Sequence, residues 1–191
     1  MNEVEAHDDA HFAIAARSGD RRAFEALVAL HKASLYRIAR RYVGQSDDAY
    51  DLVQETFVAA WLSLSRFDGR QSFGPWVRTI LLNKCRDLSR RHAVRRRFMH
   101  WFGPEESDSP VDDFSTTDST TADASNARLV ALDRAVAMLP ARLKEPLVLT
   151  ALQGLSHREA AAQLGLTPKA VELRVHRARK KLQELLQQTD E

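Results

Sequence analysis

The chain has 191 residues with 44% hydrophobic and 28% charged content and a formal net charge of +2 at pH 7, which excludes a fully disordered polypeptide. Its single cysteine, Cys85, excludes an internal disulfide and a multi-cysteine metal site. No apolar run approaches the roughly 18 residues that span a bilayer, and the acidic start MNEVEAHDDAHF lacks a signal-peptide core, so a cytoplasmic protein is expected.

The first half of the chain predicts a series of amphipathic helices. Asp20 is suited to cap a first helix in which apolar residues recur at spacings of three and four. Turns are expected over 43–48 and 66–74, and Pro75 suits the first position of the helix that follows the second turn. The apolar sides of the two later helices are Leu52, Val53, Phe57, Ala60, Trp61 and Leu64, then Trp76, Ile80, Leu81, Cys85 and Leu88. No alternating strand pattern is present, so the predicted fold is all-α.

Charge is distributed unevenly along the chain. Basic residues are concentrated in 86–97 and again in 174–181, whereas 103–126 is acidic and rich in Ser, Thr and Pro. The acidic segment cannot bury enough apolar surface to fold alone, so a flexible linker between two small helical domains is expected. Two basic clusters on either side of it indicate contacts with a polyanion at two places.

The segment GLSHREAAAQLGLTPKAVELRVHRARKKL (154–182) predicts a helix-turn-helix. Ser156 and Glu159 have the spacing of a capping box that opens a short helix, and Gly165 suits the left-handed end of that helix. Thr167 can cap the second helix, with Pro168 at its first position. The second helix is expected to bury Val171, Val175, Ala178 and Leu182 and to be basic elsewhere.

In a helix-turn-helix, the N-terminal part of the second helix enters the major groove of DNA. There Arg can read guanine, Glu can accept from cytosine, and an exposed Leu can contact a thymine methyl group. Late positions such as Lys180 and Lys181 suit phosphate contacts. A solvated helix of a small bundle is the alternative for any one of these residues. The candidate DNA-contacting residues are Lys169, Glu172, Leu173, Arg174, His176, Arg177 and Lys180.

Four segments, DLVQETFVAAW (51–61), FDGRQSFGPWV (67–77), LLNKCRDLSRR (81–91) and the 154–182 segment, resemble in order and spacing the hallmark segments of bacterial RNA polymerase sigma factors of the extracytoplasmic-function (ECF) type. The resemblance implies a region-two domain at 10–98, an acidic linker at 99–126 and a region-four helix-turn-helix domain at 127–187. It also implies promoter-specific transcription initiation with core RNA polymerase and promoter DNA. No enzymatic activity, cofactor, metal or small-molecule substrate is implied.

The resemblance assigns roles to individual residues of the first domain. A helix face that docks on the clamp coiled coil of the largest polymerase subunit corresponds to Asp51, Gln54, Glu55, Val58 and Leu62. A solvated helix face is the alternative on charge alone. A pocket for an unstacked base of the −10 element corresponds to Phe67 and Asn83, with Asp68, Gly69 and Arg70 in the adjoining loop. Phosphate contacts after that pocket are expected from Lys84, Arg86, Arg90 and Arg91.

Further expectations come from the family and from departures from its pattern. The acidic linker resembles nascent RNA in charge, and a plain tether is the alternative. The resemblance implies an anti-sigma factor as a partner, and a membrane-bound anti-sigma factor is one form that this partner takes in the family. The sequence Lys169–Glu172 (KAVE) resembles the subgroup that includes heavy-metal resistance sigma factors, and its Glu172 replaces a common basic reader of the −35 element. Pro146 lies in a segment expected to be helical, where it removes one backbone hydrogen bond and can kink or restart the helix.

A free-standing DNA-binding regulator and an enzyme are the two alternatives to a sigma factor. A free-standing helix-turn-helix regulator explains 154–182 but leaves 51–97 and the acidic linker unexplained. An enzyme is not supported, because the seven His residues and the carboxylates do not gather at metal-ligand or triad spacings and no Gly-rich phosphate loop appears. A requirement for core polymerase would distinguish the sigma factor from the regulator.

Overall fold

The computed structural model describes residues 3–69, 71–102 and 123–187, with side chains described for 9–69, 71–95 and 131–187. Arg70 and the acidic segment 103–122 therefore lie outside the described residues. Within the described ranges the chain is helical, with one short 3₁₀ turn and no strand, which confirms the all-α prediction. In those ranges no helix has both the length and the apolar content that crossing a membrane requires.

The N-terminal unit is built around one long central helix. Its elements are α1 (Glu3–Arg17), α2 (Arg21–Val43), α3 (Ser46–Ser63), a 3₁₀ turn (Leu64–Arg66) and α4 (Phe73–Phe102). Helix α2 packs against α1, α3 and α4. Leu27, Leu35 and Ile38 from α2 meet Phe73 and Leu81 from α4 in the core, and each of these side chains is at most 1% exposed. Burial of this apolar stripe holds the helices together.

The start of α2 agrees with the sequence, and the turn after it is shorter than predicted. Asp20 caps α2 by accepting hydrogen bonds from the backbone N–H groups of Arg22 and Ala23 at 2.9 and 3.2 Å. Gly44 ends α2 with φ +87°, a conformation that glycine adopts without strain. The predicted turn over 43–48 is reduced to Gly44 and Gln45, because its acidic residues form the first turn of α3, where the helix dipole favours them.

Two details of α3 and α4 differ from expectation. Trp61, predicted to lie in the core, is 38% exposed and covers Phe24 from outside, with ring centroids 4.9 Å apart. Helix α4 begins at Phe73, so Pro75 is its third residue and not its first. Both positions are compatible with proline, because the first N–H groups of a helix have no partner within it. Trp76 is half-buried against the core, as predicted.

The C-terminal unit contains α5 (Asp123–Met138), α6 (Ala141–Gln153), α7 (His157–Leu164) and α8 (Pro168–Gln187). Helix α8 packs against α5, α6 and α7, and its Val171, Val175 and Ala178 are at most 3% exposed. Helix α5 begins at Asp123, so the last residues of the expected linker are helical. Pro146 lies inside α6 without interrupting it.

Candidate polymerase- and DNA-binding surfaces

The outward face of α3 combines acidic and apolar side chains. Leu52, Val53 and Phe57 face the core, which leaves the opposite side of the helix open to solvent. Val58 and Leu62 are 60% and 76% exposed there. All five residues predicted to bind polymerase are exposed together on this face, namely Asp51, Gln54, Glu55, Val58 and Leu62. An apolar patch rimmed by polar groups is typical of a protein-binding surface.

One ion pair connects this face to the predicted DNA-binding helix. Lys84 on α4 donates from Nζ to Oε2 of Glu55 at 2.9 Å. The Glu55 side chain is 63% exposed, so water and salt screen the pair and its contribution to stability is small. The pair can therefore separate when either residue meets another partner.

The loop between the 3₁₀ turn and α4 presents less apolar surface than predicted. Phe67 is only 2% exposed, because its ring packs against Phe73 and Trp76 with centroid distances of 5.9 and 5.1 Å. The ring of Phe67 thus belongs to the core in this arrangement, and its place in a base pocket stays a prediction. Asp68 is exposed and Gly69 is half-buried.

Asn83 is exposed on α4 and is held in one orientation by its neighbour. Its Oδ1 accepts a hydrogen bond from Nη1 of Arg86 at 2.8 Å. This contact assigns the oxygen to the Arg86 side and leaves the amide NH₂ group as a donor on the exposed side. Asn83 therefore has the chemistry needed to contact the edge of an unstacked base.

Arg86 is engaged by the C-terminal unit. Its Nε and Nη2 donate to Oε1 and Oε2 of Glu145 on α6, both at 2.6 Å. Glu145 is 6% exposed and also accepts from the Tyr42 hydroxyl at 3.1 Å. The hydrogen bond to Glu145 raises the pKa of Arg86, as expected for a bidentate guanidinium–carboxylate pair. Of the residues predicted to contact phosphates, Arg90 and Arg91 are exposed.

The helix-turn-helix has the predicted caps. The Ser156 hydroxyl accepts from the N–H of Glu159 at 3.2 Å, and Oε2 of Glu159 accepts from the N–H of Ser156 at 2.8 Å. Gly165 is left-handed with φ +65°. Thr167 accepts from the N–H of Ala170 at 3.2 Å and so caps α8. These caps fix the angle at which α8 leaves the turn.

The predicted DNA-contacting residues of α8 form one mostly exposed surface. All are exposed except Arg174, which is half-buried: Lys169, Glu172, Leu173, His176, Arg177 and Lys180. Leu173 is 45% exposed, which leaves its methyl groups free to meet a thymine methyl. Lys169 donates to Glu172 at 2.9 Å, and this hydrogen bond lowers the pKa of the Glu172 carboxyl.

Sequence reasoning missed two polar clusters that need tertiary contacts. Asp9 on α1 and His31 on α2 form a buried pair, with 2.6 Å between Oδ1 and Nε2. Lys144 and Glu145 are buried between the two units. His31 lies midway between Leu27 and Leu35 on the apolar side of α2, and this spacing indicates that His31 is buried. No sequence pattern indicates that Asp9 is buried. No group of three potential metal ligands occurs in the part of the chain that the structure describes.

Two sequence families match the chain. Residues 27–95 match the family described as Sigma-70 region 2, and residues 129–182 match Sigma-70, region 4. The chain is 40% identical over 186 residues to the RNA polymerase sigma factor CnrH of Cupriavidus metallidurans, covering 93% of this chain and 94% of CnrH. It is 39% identical over 176 residues to the RNA polymerase sigma factor NccH of Alcaligenes xylosoxydans xylosoxydans, covering 90% and 91% of the two chains.

Two solved structures have the same arrangement of helices. The structure of CnrH in complex with the cytosolic domain of CnrY has a TM-score of 0.68 and 37% identity, covering 94% of this chain and 97% of that one. RpoE in complex with the anti-sigma factor NepR from Bartonella quintana has a TM-score of 0.63 and 28% identity, covering 86% and 96%. The similarity therefore extends across both helical units.

Proposed function

Because the chain belongs to the sigma-70 family of RNA polymerase sigma factors, as a member of the ECF type, we propose that its two helical units divide promoter recognition between the −10 and the −35 element. A member of this family binds core RNA polymerase and directs promoter-specific transcription initiation. It is an initiation factor, and polymerase performs the chemistry. Two family matches support this proposal: the region 2 match lies on the N-terminal helical unit and the region 4 match lies on the C-terminal helical unit.

We propose that the outward face of α3 is the polymerase-docking surface. Val58 and Leu62 supply exposed apolar area, and Asp51 and Glu55 supply negative charge beside it. Such a face is suited to a basic coiled coil, because charge complementarity guides association while apolar burial supplies affinity. The Lys84–Glu55 pair lies at the edge of this face, where it can exchange for contacts with polymerase or DNA.

For the −10 element, we propose that the loop 67–72 and the exposed side of α4 hold one base of the non-template strand. Asn83 donates to the edge of that base, and Arg90 and Arg91 follow the phosphates beyond it. Phe67 contributes by supporting the loop from the core side. Arg70, predicted to contribute to the adjoining loop, lies outside the described residues.

For the −35 element, we propose that α8 enters the major groove. Its capped N-terminus presents Lys169, Glu172 and Leu173 to base edges, followed by His176 and Arg177 one turn later. Lys180 lies near the duplex backbone and contacts a phosphate. A glutamate among these residues favours a cytosine amino group as one of the contacts.

Control by an anti-sigma factor is the regulation that we propose. RpoE, which shares the fold over most of its length, was solved with the anti-sigma factor NepR, and CnrH was solved with the cytosolic domain of CnrY. An open cleft of about 600 Å³ lies between the two units here, lined by residues that include Leu88, Met138 and Lys144. A partner that inserts an apolar segment into this cleft would hold the units together. We propose a cytoplasmic location for the chain, where core polymerase and promoter DNA are found, and a membrane-bound partner.

The experiment that tests the proposed function is transcription-start mapping on genomic DNA of the source organism, with sigma-free core polymerase in the presence and absence of this protein. We expect new discrete starts that share two upstream elements at a fixed spacing. If active core polymerase gives no new start while the protein alone binds duplex DNA, the free-standing regulator becomes the better account.

A further inference from the structure

Helix α1 contacts both ends of the loop proposed to capture the −10 base. Asp9 accepts a hydrogen bond through Oδ2 from the backbone N–H of Gly74, at 3.2 Å, where α4 begins. Arg17 donates from Nη1 to the carbonyl oxygen of Phe67 at 3.4 Å, where the loop begins. The region 2 match starts only at residue 27, so neither residue belongs to the matched segment.

Asp9 is a buried carboxylate with both oxygens in use. It is 2% exposed, and while Oδ2 binds Gly74, Oδ1 lies 2.6 Å from Nε2 of His31. Burying a carboxylate is unfavourable unless each oxygen has a partner, so this geometry ties three elements together. The N–H of Gly74 lacks a partner within α4, and Asp9 supplies one from another helix.

The contact leaves the end of the loop little room to move. The His31 ring lies on the ring of Phe73, with centroids 5.5 Å apart, and Phe73 is fully buried. A Cβ atom at Gly74 would lie 3.1 Å from Cε1 of His31, so a side chain there would force the His31 ring to shift slightly. Arg78, one turn later and 7% exposed, adds a positive charge near Asp9.

The middle and the start of the loop also contact α1. The Ile14 side chain lies beside Gly69, with Cγ1 3.5 Å from the position of a Cβ atom there. Phe67 anchors the loop start in the core, and its carbonyl oxygen receives Arg17. Helix α1 thus contacts the loop near its start, middle and end, while Asp68 remains exposed between these contacts.

We propose that Asp9, through its pair with His31, is a positioning residue for promoter melting, because it fixes the start of α4, where the loop proposed to receive the −10 base ends. The inference rests on the proposed function of that loop. Asp9 itself is buried and does not contact DNA. Its removal should lower affinity for the single-stranded −10 element and leave the other binding events of the protein intact.

The test uses the full chain assembled with core polymerase. The probe is a fluorescent single-stranded oligonucleotide that carries the non-template −10 sequence found by start mapping. We expect Asp9→Ala to weaken binding of this probe by about tenfold, the effect of losing one charge-assisted buried hydrogen bond. Affinity for core polymerase and for a −35 duplex should stay within about twofold. Asp9→Asn retains an acceptor for the Gly74 N–H and should recover most of the probe affinity.

Arg17→Gln and Glu25→Gln complete the set of variants. Arg17 is exposed, so its substitution spares the core, and we expect about a threefold loss for the probe because one hydrogen bond at the loop start is removed. Glu25→Gln removes one charge from an exposed position on α2 and should bind like the wild type. In hydrogen-exchange measurements, Asp9→Ala should show less amide protection in 67–74 than the wild type. Amide protection in the helix-turn-helix should be unchanged.

Two results would overturn the inference. One is unchanged probe affinity in Asp9→Ala, whatever Arg17→Gln does, and the other is an equal loss of core, −35 and −10 binding in Asp9→Ala, which would indicate general unfolding. Asn83→Ala separates this inference from the proposed function. If Asn83→Ala binds the probe normally while Asp9→Ala does not, the Asn83 pocket is wrong and the positioning role stands. The reverse result removes the positioning role alone.

Discussion

Lys144 is a buried lysine at the contact between the two units, and its ionisation depends on that burial. It is 4% exposed, and its Nζ donates to the carbonyl oxygens of Tyr42 at 2.7 Å and Ala137 at 2.6 Å. Desolvation lowers the pKa of Lys144 from 10.5 to about 8, and the nearby Cys85 and Glu145 only partly oppose this. The folded chain therefore binds this proton more weakly than the unfolded chain.

This difference predicts a pH dependence of stability. Between about pH 8 and 10.5, Lys144 is protonated in the unfolded chain and deprotonated in the folded chain. Raising the pH within this window therefore stabilises the folded chain. The free energy of unfolding contributed by Lys144 should increase across the window by up to about 3 kcal/mol. Denaturant unfolding of wild type and Lys144→Met at several pH values measures it. If the free energy of unfolding changed equally with pH in the two proteins, Lys144 would not be the source of the pH dependence.

Asn83 supports a prediction about melting. In the proposed function the amide NH₂ of Asn83 contacts an unstacked base only, so Asn83→Ala should slow open-complex formation and leave initial binding to duplex promoter nearly unchanged. A loss of one hydrogen bond to a base corresponds to about tenfold in the opening equilibrium. Permanganate footprinting and filter binding on one promoter separate the two steps. Thr79→Ala, an exposed change one turn earlier on α4, is the control, and equal losses in both steps would exclude a base pocket.

At the scale of elements, we propose two roles for exposed residues of α8, sequence reading near its N-terminus and phosphate contact further along. Glu172 is paired with Lys169, but both side chains are more than half exposed, so the pair contributes little and can separate at the DNA surface. Lys180 lies two turns further along the same helix and is exposed. The two positions should therefore respond differently to substitution.

We predict that Glu172→Ala relaxes specificity at one −35 base pair by about 1–3 kcal/mol. Lys180→Ala should weaken all sequences about equally and reduce the slope of log affinity against log salt by about 1. Binding of the holoenzyme to a set of duplexes with single substitutions in the −35 element, at several salt concentrations, measures both. Unchanged discrimination in Glu172→Ala would remove Glu172 from the reading residues.

The parts of these elements that depend on local sequence could be predicted. The Ser156–Glu159 capping box, the left-handed Gly165 and the buried spacing from Val171 to Leu182 involve neighbours in the chain, and all three are confirmed. Asp47 and Asp48 lie in the predicted turn over 43–48, but they belong to the first turn of α3. The helix dipole stabilises acidic side chains at a helix N-terminus. Local patterns thus identify helices more reliably than the turns between them.

Contacts between distant elements could not be predicted in the same way. Asp9 and His31 lie 22 positions apart in the sequence, on α1 and α2. Their pairing depends on how α1 packs on α2. Phe67 matches a family position suited to a base pocket, yet packing of Phe73 and Trp76 around it decides that its ring is buried. For such residues the sequence indicates a region of function, and tertiary packing determines which atoms are accessible.

At the scale of the whole molecule, the two units dock through polar contacts centred on Glu145. Arg86 and Tyr42 from the N-terminal unit both bind this carboxylate, Arg41 forms an ion pair with Asp133, and Ser34 donates to Gln153 at 2.6 Å. A chain that docks through buried polar groups loses much of that contact when one partner is removed. Docking also occupies Arg86, which cannot contact a phosphate while its guanidinium binds Glu145.

Glu145→Ala should therefore shift the chain toward an undocked arrangement. Breaking a buried pair from one side costs about 3–5 kcal/mol, and the lower end applies because Arg86 retains 32% exposure of its side chain. Energy transfer between dyes at Ser18→Cys and Gln183→Cys measures the separation of the units, since both sites are exposed. Cys85 should remain unlabelled, because burial raises its pKa to about 12 and leaves almost no thiolate.

The control is Glu184→Ala, which removes an exposed carboxylate that pairs with Lys181 away from the contact between the units. We expect lower transfer efficiency in Glu145→Ala than in wild type or Glu184→Ala, together with tighter binding to core polymerase, because an undocked chain no longer has to break the Arg86–Glu145 contact first. Equal efficiency in all three proteins would mean that Glu145 does not hold the units together. Lower efficiency without tighter binding would mean that docking does not compete with polymerase.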